Sequence, residues 1–273
     1  MPVTTRESTT EDPALPVLSA HVQPFTATYR IRTDDVDQHM RVRLDAIARY
    51  LQDIAADMIE ASPFFGTDPF WILRRTIIDV ITPISWPGDV EVQRWCSATS
   101  SRWVNMRQTV RSTHETSPFN PDDRPPGLIE TESFCIKVDP AGHLSRISDR
   151  AQAELSRYVD DTRLRWQPLN TDAPPDSDIT SDRHFPVRSS DIDPFHHVNN
   201  AVYWQIIEDQ LDDNQDLLTH PHRAVIEFLR PIPPGAQPRI RANRNADRLA
   251  VWILLNNDTL AATATVRTRP RSA

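Results

Sequence analysis

The 273-residue sequence predicts an α+β protein made of two tandem domains, each a long helix wrapped by an antiparallel sheet. Three observations carry that expectation. A strand, a long amphipathic stretch and a run of further strands occur in this order twice, on either side of a proline-rich segment. The halves also match residue by residue: Arg32 with Arg188, Asp35-Val36-Asp37 with Asp191-Ile192-Asp193, and Tyr50-Leu51-Gln52 with Tyr203-Trp204-Gln205. The last match is offset from the others, which implies a three-residue deletion. Finally, the repeat is far longer than a solenoid unit of roughly 20–50 residues, so it reads as two packed domains.

Residues 1–24 are polar and aperiodic, which predicts a mobile tail. The first domain then runs over 25–165. Alternation over 25–32 gives a half-buried strand, and Val42, Ile47, Leu51, Ile54 and Met58 share one face of a helix over 41–61. Ser62-Pro63 ends that helix, because proline lacks an amide hydrogen and its predecessor avoids helical angles. Strands follow over 70–81, 90–99, 103–111 and 129–138, with a turn at Trp86-Pro87-Gly88-Asp89, a proline-rich loop at 116–127 and a short surface helix over 148–158. Residues 166–181, holding Pro168, Pro174 and Pro175, form the linker. In the second domain, 182–273, a strand over 184–188 precedes a helix over 199–211 and strands over 223–229, 239–242, 250–255 and 260–267. Each helix needs a sheet to cover it. Joining the two sheets edge to edge also removes two exposed edges.

The totals exclude several classes of function. No apolar run reaches the 18 or more residues of a membrane span, and the first residues lack the basic-then-apolar layout of a signal peptide, so a cytoplasmic protein is expected. A net charge of -8 opposes nucleic acid as a partner. Cys96 and Cys135 belong to no metal-ligand spacing and read as buried thiols. With 5 glycines against 24 prolines there is no phosphate-binding glycine loop, and no cofactor or metal is expected. Arg74, Arg75, Arg102, Arg107 and Arg111 can attract an acidic partner, although arginine is the default cation of this chain and most of these are expected to be solvated.

The stretch Asp191-Ile-Asp193-Pro-Phe195-His196-His197-Val-Asn199-Asn200 places carboxylates and imidazoles immediately before a helix start. Backbone N–H groups point outward there and the helix dipole favours negative charge. Asn199 or Asn200 caps the helix, Asp191 supports the turn, and His196 is solvated. For an isolated match, turns and caps would explain every one of these residues; the repeated fold pattern around it favours chemistry.

This stretch, with Trp71-Ile-Leu-Arg74 and Trp86-Pro-Gly88-Asp-Val-Glu-Val-Gln-Arg94-Trp95, resembles the acyl-ACP thioesterase family of plant and bacterial type, built of two hotdog domains. The resemblance spans about 25–268. It implies a thioester hydrolase of fatty acid metabolism that releases an acyl chain from acyl-ACP or acyl-CoA. It assigns Asp193 and His197 to catalysis, with Asn199 and Asn200 as the candidate substrate-contacting residues, and gives the first domain the acyl pocket. A homodimer is compatible with it. Two departures fall in the same site: Phe195 stands where the family has an asparagine, and Pro231 where it has a glutamate.

Thioester hydrolysis needs an attacking group, a donor for the carbonyl oxygen and an apolar channel. Asp193 supplies the first as base or nucleophile. Backbone N–H groups near His197 and Val198, with the imidazole of His197, supply the second. Phe195 is expected to pack as a wall of the site, and Glu227 is a candidate position for a displaced acid. Asp35-Val-Asp37-Gln-His39 offers a second carboxylate and histidine but lacks the Val-Asn-Asn entry to its helix. The alternative to hydrolysis is a degenerate hotdog pair that binds acyl groups, or scaffolds a partner, without turnover. A hydratase of the same fold is disfavoured, since its Gly-Asp and Asn-Pro-x-His run is missing.

Overall fold

The computed structural model describes residues 14–159, 161–256 and 258–269. The first half contains β1 (Phe25–Arg30), α1 (Leu44–Ala61), β2 (Trp71–Thr82), β3 (Asp89–Thr99), β4 (Trp103–Ser112), β5 (Gly127–Lys137) and a short α2 (Asp149–Leu155). The second contains β6 (Ser181–His184), α3 (Asn200–Asp212), β7 (His222–Phe228), β8 (Arg239–Asn245), β9 (Arg248–Leu254) and β10 (Leu260–Thr268). All ten strands join one sheet in the order β1-β3-β4-β5-β2-β7-β10-β9-β8-β6. Read outward from the middle, the two arms run through corresponding strands, so the duplication expected from sequence is the architecture.

Helices α1 and α3 lie together on one face of the sheet. The amphipathic α1 buries Leu44, Ile47, Leu51 and Ile54 against Val90, Val92, Val110 and Ile129. Helix α3 buries Val202, Tyr203, Trp204, Ile206, Ile207 and Leu211, while Gln205, Glu208, Asp209 and Asp212 form a polar stripe from which Glu208 meets Arg41 beside α1. Loss of one such side chain, Ile to Ala, costs about 2–5 kcal/mol in a core of this kind.

Several sequence expectations change, and the strand expected over 184–188 is β6 at Ser181–His184, because it pairs with β8 over those residues. Helix α1 starts at Leu44, three residues later than expected. Met40 holds φ 64°, the Asp37 N–H donates to the Arg41 carbonyl at 2.9 Å, and the Val42 N–H donates to Ile84 at 2.9 Å, so residues 37–43 form a tight turn. The expected three-residue deletion is absent too. Corresponding hydrogen bonds pair Asp35 with Asp191, Met40 with His196 and Val42 with Val198, and the helix starts pair Leu44 with Asn200, all at one constant offset, which sets Ile47, not Tyr50, opposite Tyr203 and Gln52 opposite Glu208.

The seam between the halves is the pairing of β2 with β7, in which Arg75 faces Glu227, Ile77 faces Val225 and Asp79 faces Arg223. A pseudo-twofold axis through the central pair relates the two charged pairs. Arg223 grips Asp79 through Nε and Nη2 at 2.6 Å each, and Arg75 Nη1 lies 3.3 Å from Glu227 Oε1; all four residues are buried. Arg107, also buried, meets Glu130 at 2.7 Å. The expectation of solvated arginines therefore fails at Arg75 and Arg107, whose strands point them to the face opposite the helices.

That opposite face is covered by the connecting segment. Trp166 lies against Arg75, the Gln167 carbonyl accepts from Arg75 at 2.7 Å, and the Leu169 and Asn170 N–H groups donate to the Glu227 carboxylate at 2.9 and 3.2 Å. Further on, the Asp172 carbonyl accepts from the Trp252 indole at 2.9 Å. The predicted linker is thus a strap seated across the seam. Of the expected tail, residues 1–13 lie outside the described residues, while the Pro16 carbonyl accepts from Arg107 Nε at 2.8 Å.

Removing one partner of a buried ion pair leaves the other charge uncompensated, at a cost of about 3–5 kcal/mol. Asp79→Asn removes the carboxylate that Arg223 and Arg269 share at the seam and should lower the denaturation midpoint by a corresponding amount. A change under about 1 kcal/mol in chemical denaturation would contradict a load on the seam.

Candidate active site

The loop before α3 is held by its own backbone. Asp191, buried, accepts the Arg188 N–H at 2.8 Å and, through its carbonyl, the Asn199 N–H at 2.8 Å. The Asp193 N–H donates to the His197 carbonyl at 2.9 Å, and the His196 N–H donates to Asp193 at 3.0 Å. His196 takes φ 63° to close this turn and stays exposed. Asn199 is the cap: its side-chain oxygen accepts the Ala201 N–H at 2.8 Å, with Asn200 the first helical residue.

Within this frame Asp193 and His197 meet. Their side chains are 10% and 35% exposed, and His197 Nδ1 lies 3.4 Å from Asp193 Oδ2 and 3.3 Å from the Val198 carbonyl. The other carboxylate oxygen accepts the Phe195 N–H at 2.9 Å. Both neighbours of Nδ1 are acceptors, so that nitrogen carries the proton and the neutral ring presents Nε2 as an acceptor. A neutral His197 therefore fits the role of base better than that of carbonyl-oxygen donor. The Val198 N–H, expected as such a donor, is committed to the Ile232 carbonyl at 2.9 Å; the His197 N–H has no acceptor among the described residues.

Phe195 departs from expectation. It is 73% exposed and lies over the His197 ring, with centroids 6.2 Å apart and planes 22° from parallel, so it is a cover and not a packed wall. Glu227 is no displaced acid either. On β7 the side chains of Ala224, Ile226 and Phe228 face the helices, which puts Glu227 on the far side of the sheet with Arg75 and the strap. Where the resemblance expected a glutamate, Pro231 is bracketed by Tyr203, whose hydroxyl accepts the Ile232 N–H at 3.2 Å and approaches the Arg230 carbonyl at 3.5 Å. Burial, and the Asp193 charge after it, push that phenol up to about 12, so it stays protonated.

The corresponding loop of the first half has the same backbone and different chemistry. Arg41 stands where His197 does, with Nε 2.9 Å from Asp37 and Nη2 2.8 Å from Glu208 of α3. Glu208 also accepts the Leu44 N–H at 2.6 Å, capping α1 from the other helix. In return Gln52 of α1 donates to Asn199, the cap of α3, at 3.2 Å. The helices thus brace each other's entry loops. Sequence reading missed Arg41, Gln52, Glu208 and Tyr203 as parts of the site; the constant offset, which sets Gln52 opposite Glu208, was the available signal for that pair.

A groove of about 1220 Å³ runs between the two loops, lined among others by Asp37, Arg41, Asp193, Asn199 and Glu208. His197 and Asn200 do not line it. Among the described residues no cluster of ligating side chains could hold a metal ion, and no helix is long and apolar enough to cross a membrane.

Comparison with known proteins gives concordant matches. The model of the acyl-ACP thioesterase N-terminal domain matches residues 23–117, and that of the acyl-ACP thioesterase C-terminal domain matches residues 176–266. The uncharacterized protein Rv2001 of Mycobacterium tuberculosis is 36% identical over 240 residues, which are 87% of this chain and 90% of that protein. Among solved structures, the 12:0-ACP thioesterase from Umbellularia californica superposes with a TM-score of 0.69 at 19% identity, over 93% of this chain and 100% of its own. An acyl-ACP thioesterase from Bacteroides thetaiotaomicron gives 0.70 at 14% identity, over 89% and 96%. At these identities the two structures bear on the fold, which is the double hotdog.

Because Phe195 is exposed, Phe195→Asn opens no cavity and should shift stability by no more than about 0.5 kcal/mol. A thermal or denaturant shift of several kcal/mol would restore the packed wall.

Proposed function

This chain belongs to the acyl-ACP thioesterase family, and from that premise we propose that it hydrolyses acyl-ACP or acyl-CoA at the loop before α3, with the first domain shaping the acyl pocket. The observation that carries the reading is the contact of His197 Nδ1 with Asp193 Oδ2, in the loop that leads into α3. Asp193 fixes the Nδ1–H tautomer and stabilises the imidazolium that forms as Nε2 takes a proton from water. The resulting hydroxide attacks the thioester carbonyl, and the developing oxyanion is met by the His197 N–H and the positive end of α3. Collapse of the tetrahedral species expels the thiolate, a good leaving group that takes up the proton afterwards. Asn199 and Asn200 support substrate binding by holding the helix entry in place.

The first-half loop supports no equivalent chemistry. Asp37 is engaged by the Arg41 guanidinium and by the His39 and Arg41 N–H groups, each at 2.9 Å, and an arginine cannot act as a base. An acyl-binding protein without turnover is favoured by Phe195 and Pro231, and the same assay separates it from a hydrolase. Purified protein incubated with acyl-ACP and with acyl-CoA should release free thiol, and Asp193→Asn, which takes away the carboxylate that orients the base, should slow release by at least ~10²-fold. Release at the wild-type rate by Asp193→Asn would remove Asp193 from the mechanism. No release from either carrier would leave the binder.

A further inference from the structure

Arg94 presents a physical anomaly. It lies on β3 with its side chain toward the helices, in line with Val90 and Val92, and is only 6% exposed. Other buried arginines of this sheet meet carboxylates, as Arg75, Arg107 and Arg223 do. Arg94 meets only neutral groups: its Nη1 donates to the side-chain oxygen of Gln108, its Nε has no partner among the described residues, and the polar groups that shape its electrostatics are the thiols of Cys135 and Cys96. Burial pushes the Cys96 thiol up to about 12 and raises that of Cys135, so neither supplies a thiolate. A guanidinium does not shed its proton in a protein, and an isolated buried charge is costly enough to demand a counterion.

The surroundings are built as a polar stripe between two apolar clusters. Arg94, Gln108 and Thr131 are cross-strand neighbours on β3, β4 and β5. Gln108 donates to Thr131 Oγ1 at 2.6 Å and to the Met106 carbonyl at 3.1 Å, which fixes its amide oxygen toward Arg94. On one side lie Val90, Val92, Val110 and Ile129, and on the other Cys96, Met106 and Cys135. Helix α1 belongs to the first cluster through Leu51 and Ile54, and half-buried Met58, a flexible side chain, packs on the second. Gln52 ties the middle of this same helix to Asn199 at the proposed catalytic loop. The loop lies just past β7, where Val198 binds Ile232, so an acyl chain that starts there and runs beneath α1 crosses β2, β5 and β4 to reach β3, four strand spacings or about 19 Å.

We propose that Arg94 receives a carboxylate at the far end of the acyl chain, so that the preferred substrate is a thioester of a dicarboxylic acid. This rests on the hydrolase reading above for the chemistry, but not for the binding. A carboxylate matches the guanidinium in charge and in its paired-donor geometry, using the Nε–H that is without a partner and neutralising the buried cation. A methyl-terminated chain does neither and leaves the charge stranded against hydrocarbon.

The test pairs pantetheine thioesters of equal chain length, one ending in methyl and one in carboxylate, over a series of lengths, and in parallel measures binding of the free mono- and dicarboxylic acids by calorimetry. Wild-type protein should prefer the carboxylate-terminated thioester in kcat/KM by at least ~10-fold, as one charge-assisted hydrogen bond is worth. Arg94→Met should abolish or invert that preference while Arg94→Lys retains part of it. Should Arg94→Met fail to fold, the wild-type preference alone decides. Hydrolysis of methyl-terminated chains with no carboxylate preference overturns the proposal and leaves the hydrolase standing. The same holds if Arg94→Met only lengthens the accepted chain, which would make Arg94 a plug. Tight, Arg94-dependent binding of the diacid without hydrolysis of either thioester supports the proposal and overturns the hydrolase. Absence of both binding and hydrolysis overturns both.

Discussion

The pairing of β2 with β7 is the constraint on which the rest depends. It turns two five-stranded sheets into one and removes an edge from each. Its two ion pairs, Arg75 with Glu227 and Asp79 with Arg223, pin the register, because a slip of one residue would set each charge on the wrong face of the sheet. A fixed register places α1 and α3 side by side. Only then can Glu208 reach the start of α1 and Gln52 the start of α3. The strap formed by the connecting segment completes the seam by giving Glu227 two further donors in a water-poor setting, where an unpaired carboxylate is costly.

Symmetry of backbone has not kept symmetry of chemistry. Each half carries an aspartate at the same turn position, a residue at positive φ three positions on, and an apolar residue whose N–H binds the segment just past β2 or β7. One residue decides the difference. At His197 the aspartate meets an imidazole, a group with a nitrogen able to accept a proton, while at Arg41 it meets a permanent cation already shared with Glu208. The first loop is thereby an ion-pair brace for the helix interface, and the second keeps a carboxylate–imidazole pair. Phe195, which cannot supply the amide that the family resemblance expected, lies over the imidazole.

The duplication was legible because periodicity and matched side chains report on it directly: Val42, Ile47, Leu51 and Ile54 mark the buried face of α1, and Asp191-Ile192-Asp193 repeats Asp35-Val36-Asp37. The meeting of Asp193 with His197 was legible for the same reason, since both sit on one loop. What sequence concealed is what depends on contacts across the chain. The Tyr50 match with Tyr203 was a coincidence of aromatic residues that only the helix register could expose. Arg75 and Arg107 read as surface cations because nothing local says that Glu227 and Glu130 face them. The exposure of Phe195 was hidden because its type argued for burial, while the tight turn around Asp193 turns it outward.

The central claim is that two loops of one backbone have divided labour, with substrate turned over at Asp193 and His197 and braced structure at Asp37 and Arg41. A crystal structure of the protein with a non-hydrolysable pantetheine thioether analogue of the substrate tests it most directly. The prediction is that the carbon replacing the thioester carbonyl lies within reach of His197 Nε2 and of the His197 N–H, with the acyl chain running beneath α1 toward β3. Density for the sulfur and its neighbouring carbon beside Asp37 and Arg41, with the loop before α3 empty, would contradict it.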